Sequence, residues 1–112
     1  MNEKEKLIQA SKQAETVGAL FILMNLAQRT ELKTIERVEV GRAIINRAPE
    51  IGIPPFPHDQ HTRLMYNVLD ADSETMLEEI VQAAKASDLH PGELQEVLNL
   101  VLEKKGELTN GN

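Results

Sequence analysis

Between Thr16 and Gln28 the chain runs without a single charged side chain, and most of that run is aliphatic. No other stretch limits the fold so strongly. Starting upstream at Leu7, the residues Leu7, Ala10, Ala14, Val17, Phe21 and Met24 recur at spacings of three and four, which is one stripe of a helix. Ile8, Ile22 and Leu26 lie to one side of that stripe, and Leu20, Leu23 and Ala27 fall on the far side. A helix that is apolar nearly all round has to be covered nearly all round. The run is shorter than the roughly 20 apolar residues that cross a bilayer, so the cover is expected to be protein and not lipid. Ala10, Ala14 and Gly18 are four apart. On one continuous helix they would form an edge of small residues, suited to close helix packing or self-association.

The pattern predicts an all-α, compact, single-domain bundle of about five helices around this central apolar N-terminal helix. The first is expected over Glu3 to Gln28, and the second, capped by Thr30 or Thr34, to run to about Arg47, where Pro49 ends it. A proline-rich connector follows, from Ala48 to His58. Pro54 and Pro57 give it the spacing of a polyproline ligand, but Ile51, Ile53 and Phe56 suit docking onto a core better. The third helix is expected from Asp59 to Leu69. The fourth runs from Glu74 to Ala86, with Asp72 or Ser73 as its cap. The fifth starts at Pro91 and stops at Gly106. Residues 107–112 are expected to be a polar tail, giving one domain over 1–106. No internal repeat and no low-complexity tract is expected.

Charge is unevenly distributed. Residues 1–48 hold eight basic and six acidic side chains, a balance of +2, and residues 49–112 hold four and twelve, a balance of -8. An acidic half repels phosphate backbones, which disfavours nucleic acid and fits a partner protein with a basic surface. The chain has no cysteine, so a disulfide framework, a thiolate nucleophile and a cysteine zinc site are all excluded. Without a signal-peptide pattern or a spanning segment, the expected location is the cytoplasm, away from membranes.

Three constellations could carry chemistry. His58 and His61, three apart at a helix start, could share a metal ion, as in a small metal-dependent enzyme. A catalytic zinc needs three protein ligands, and the only other histidine is His90. Asp70, Asp72 and Glu74 begin like a calcium loop, but Thr75 stands at the turn-glycine position and Val81 where the bidentate acid belongs. Residues 76–104 resemble a helix-turn-helix DNA-binding regulator: Ala84, Leu89, Leu94 and Val97 match its packing positions. The second helix would then present Glu93, Gln95, Glu96 and Asn99, a poor set for phosphates.

These observations favour a small non-catalytic interaction or regulatory protein without cofactor or metal, expected to form a homo-oligomer. Its candidate partner-binding residues are Phe56 in the connector, Glu78 and Glu79 on the fourth helix, and Glu93 and Glu96 on the fifth. Ala10, Ala14 and Gly18 are the candidates for self-association.

Overall fold

Thr16 decides how the N-terminal half folds. Its hydroxyl oxygen accepts the backbone N–H of Ala19 at 3.1 Å, and both Thr16 and Ala14 are in extended backbone. A capping side chain here satisfies one of the orphan N–H groups of a new helix. The expected long first helix is therefore two, α1 (Glu3–Gln13) and α2 (Val17–Arg29). In the computed structural model, which describes residues 2–54 and 58–110, six helices result among the described residues, with α3 (Thr34–Glu50), α4 (Gln60–Asp70), α5 (Glu74–Ala86) and α6 (Pro91–Asn110) completing the set. The described residues contain no strand, and the chain is all-α.

The helices group into two compact units, residues 1–57 and residues 58–112. In the first, α1 and α2 both pack on α3 and touch each other. Leu7, Ala14, Leu20, Leu23, Ala27, Val40, Ile44 and Ala48 form its buried cluster. The element shared by its neighbours is thus α3 and not the apolar α2. In the second unit α4 and α5 pack on α6 in the same way, around Leu64, Val68, Leu77, Ile80, Ala84, Val97, Leu100 and Val101.

The two units are built on one plan. Glu3 and Gln60, Val17 and Glu74, and Thr34 and Pro91 open corresponding helices, 57 residues apart in each case. The first helices are 11 residues long in both units, and the second helices 13. Their caps match. Asn2 and Asp59 each accept an N–H three residues on at 2.8 Å, from Glu5 and Thr62. Thr16 and Ser73 do the same for Ala19 and Met76. Thr30 and Ser87 each donate their hydroxyl to a carbonyl four residues back at 2.6 Å. The Lys33 and His90 N–H groups donate to Glu36 and Glu93. Buried residues match too: Leu7 with Leu64, Ala14 with Ala71, Leu20 with Leu77, Ala27 with Ala84, and Val40 with Val97. The chain is a tandem repeat of a three-helix unit, which corrects the expectation of no internal repeat.

Two helix ends also differ from expectation. Pro49 does not end α3 but sits within its last turn, where a missing N–H removes only one late bond. The stop is Gly52, whose φ of +90° suits a residue without Cβ, and whose N–H returns to the Pro49 carbonyl at 3.2 Å. Gly106 lies inside α6, which continues to Asn110.

Two glycines lie in helix interiors with open space beside them. A Cβ at Gly41 or at Gly106 would meet nothing within 4 Å. Gly41→Ala is therefore expected to stabilise the protein by about 0.5–1 kcal/mol, with a smaller gain for Gly106→Ala near the end of its helix. Urea midpoints check both.

Candidate interaction surface

The inward side of α2 is set by Leu20, Leu23 and Ala27, which recur at spacings of three and four and are buried against the first unit's core. The other large apolar residues of this helix are substantially exposed. Phe21 and Ile22 are each 61% exposed, Val17 47%, Leu26 45% and Met24 43%. The expectation that an all-round apolar helix is covered all round fails within the described residues: only one side is covered. Scattered exposed apolar residues are ordinary, but five on one 13-residue helix are an unusual concentration, with Val17, Phe21 and Met24 on one flank and Ile22 and Leu26 on the other. The first of these flanks lines a groove of about 410 Å³ between α2 and α3. Its lining includes Val17, Phe21, Met24, Ile45 and Ile53.

The same positions in the second unit are different in kind. Val17, Phe21 and Ile22 correspond to Glu74, Glu78 and Glu79, and the last two are fully on the surface of α5. One fold thus carries an apolar outer face in its first copy and a carboxylate face in its second.

The small-residue edge is not assembled as expected. Ala10 and Ala14 belong to α1 and its C-cap, and the break at Thr16 places Gly18 on α2. Ala14 is buried in the core, whereas Gly18 is exposed, with only Thr16 Oγ1 near a Cβ built there, at 3.9 Å. Phe56 lies outside the described residues.

Glu93 and Glu96, on α6, are brought together with His61 of α4. Nδ1 of His61 stands 3.7 Å from Glu93 and Nε2 stands 3.4 Å from Glu96, and the ring is largely buried. The Nε2 atom is enclosed and makes no hydrogen bond, since the approach to Glu96 lacks the geometry for one. His58 turns elsewhere, packing edge-on against Tyr66 with ring centroids 5.3 Å apart. The two histidines therefore do not converge. Among the described residues no group of three or more histidine, aspartate or glutamate side chains is placed to hold a metal ion. Asp59 acts as the cap of α4: the backbone N–H of Thr62, then its side chain, holds the Asp59 carboxyl below the usual carboxylate range.

The helix-turn-helix resemblance falls on α5 and α6, which pack on each other and are joined by residues 87–90. Three of its four packing positions recur in the first unit, with Arg37 standing where the second unit has Leu94. Ala27, Leu32 and Val40 occupy the places of Ala84, Leu89 and Val97 around the turn from α2 to α3. The pattern thus belongs to the packing of the repeat. On α6, Gln95 donates to Asn99 at 2.9 Å, so the two side chains best suited to read bases are bonded to each other.

No described helix is long and apolar enough to cross a membrane. Comparison with protein-family models, with curated proteins and with solved structures finds no match to this chain.

Proposed function

We propose that this chain is a small non-catalytic protein-interaction module whose working surface is the outer face of α2. One observation carries the reading: Phe21 and Ile22, with Val17, Met24 and Leu26 around them, stand exposed on a helix without charge from Val17 to Gln28. Keeping that much apolar surface in water is unfavourable by about 25 cal/mol for each Å² left uncovered. Burial against a protein partner removes that cost. The acidic second unit, with Glu78 and Glu79 on α5, gives the molecule a face of opposite character that suits a basic surface. Self-association and a regulatory role belong to the same reading.

Asn25 sits in the middle of the outer face, so a photoreactive amino acid placed there tests the reading directly. Irradiation in the source cells is expected to give a covalent adduct of discrete mass. No adduct from position 25, with an adduct of discrete mass from a control position on α5, would overturn the proposal.

A further inference from the structure

We propose that the outer face of α2 pairs with the same face of a second copy of this chain, the two helices running antiparallel. The inference rests on the reading of that face as an interaction surface and names its occupant.

The repeat supplies the first argument. Phe21 and Ile22 stand where the second unit has Glu78 and Glu79. The three-helix plan therefore accepts carboxylates at these two positions and does not require apolar side chains there. Phe21 also lines the groove against α3, but Ile22 is no part of that lining, and its apolar character serves something outside the unit.

The second argument is charge. Between Val17 and Gln28 there is no ionisable side chain, so two such faces meet without repulsion and without stripping water from a charge. Charges appear only at the ends: Glu15 just before the cap, and Arg29 as the last residue of α2, both exposed. A two-fold pairing is self-complementary, each patch meeting itself reversed. Laid antiparallel, two copies of α2 bring Glu15 of each toward Arg29 of the other. Parallel pairing would set like charges together at both ends.

The third is area. The five exposed side chains offer roughly 500 Å² of apolar surface per copy, so pairing buries at most about 1,000 Å² in all, the lower bound for a specific interface. Gly18 lies on this face without a side chain, which lets the backbones approach at that point. An interface of this size fits a dimer that dissociates on dilution and not an obligate one.

Sedimentation equilibrium of the full chain over a wide concentration range tests the pairing. The expected result is a reversible monomer–dimer equilibrium for the natural sequence. The double variant Phe21→Glu, Ile22→Glu is expected to stay monomeric while keeping its helical circular dichroism and cooperative melt, because the second unit already carries those residues at the same places. A second pair keeps the test decisive if that variant is misfolded. Arg29→Glu is expected to weaken dimerisation about ten-fold, and Glu15→Arg combined with Arg29→Glu to restore it. A natural chain that is monomeric at every concentration overturns the pairing, as does a dimer indifferent to both sets of changes. An adduct from position 25 to a different protein, with the purified chain monomeric, would leave the interaction reading standing and remove the self-pairing.

Discussion

Leu77→Ala is expected to cost about 2–5 kcal/mol of stability and to lower the thermal midpoint by more than about 10 °C. Leu77 is fully enclosed, on the side of α5 that faces α6, with Ile80 and Ala84 beside it in the second unit's core. Removing three carbons there leaves a sealed void, so the lost transfer energy and the lost packing contacts add. The repeat provides a matched control. Leu20 holds the same place in the first unit but is 5% exposed and lines the groove between α2 and α3. A side chain lost there opens the groove further and creates no closed cavity, so Leu20→Ala is expected to cost roughly half as much. Urea unfolding of the two variants measures both. Equal costs would show that the groove is not open in solution, which is also what occupation by a second copy would produce. Repeating the pair in the Phe21→Glu, Ile22→Glu background separates the two cases.

That contrast also shows why the repeat was hard to read in the sequence. Among the buried residues the matches are Leu7 and Leu64, Ala14 and Ala71, Leu20 and Leu77, Ala27 and Ala84, and Val40 and Val97. They are spread thinly along the chain, and leucine and alanine are too common for such spacing to stand out. The surfaces between them have diverged to opposite chemistry, as Phe21 and Glu78 show. The helix break is instructive in the same way. Around Ala71 the chain offers Asp70, Asp72 and Ser73, all of them turn or cap residues, and the boundaries of α5 from Glu74 to Ala86 were legible. At the equivalent Ala14 the neighbours are Gln13, Glu15 and Thr16, and the apolar spacing from Leu7 to Met24 runs on without losing phase. Thr16 alone marks the break.

The apolar character of α2 was legible, but which side of it would be covered was not. That depends on α3 supplying Val40, Ile44 and Ala48 to only one flank. The pairing of His61 with Glu93 and Glu96 was equally hidden, since it joins α4 to α6 across a register that only the packing fixes. The helix-turn-helix resemblance has a physical reason that does not depend on DNA. A small residue in one helix, an apolar residue in the turn and an apolar anchor in the next helix are what any tightly turned helix pair needs, with or without DNA. Ala27, Leu32 and Val40 meet the same need in the first unit.

Arg47→Ala is expected to destabilise the protein by about 1.5–3 kcal/mol, a large effect for a charged residue in a helix. No sequence pattern marks Arg47, because its partner lies 33 residues away. Its Nε donates to the Ala14 carbonyl at 2.8 Å, where α1 has ended and the backbone oxygen of a buried residue has no helical partner. The guanidinium then reaches on to Glu50 at 2.7 Å, which holds the side chain in place. Truncation strands the carbonyl, removes the ion pair and strips a half-buried aliphatic stem from the α1–α3 contact. The second unit meets the same need by different means. Lys104, the counterpart of Arg47, donates its Nζ to the Leu69 carbonyl at 2.9 Å, near the end of α4. Both units thus anchor the end of their first helix with a cation from the third, and the favourable interaction of a positive charge with a helix C-terminus adds to each bond. Arg47→Lys is accordingly expected to recover most of the loss, and Arg47→Met to recover only the part due to the stem. Thermal and urea unfolding of the three variants distinguish the contributions. If Arg47→Met matched the natural protein, the carbonyl bond would have no net value, and the end of α1 would be held by packing alone.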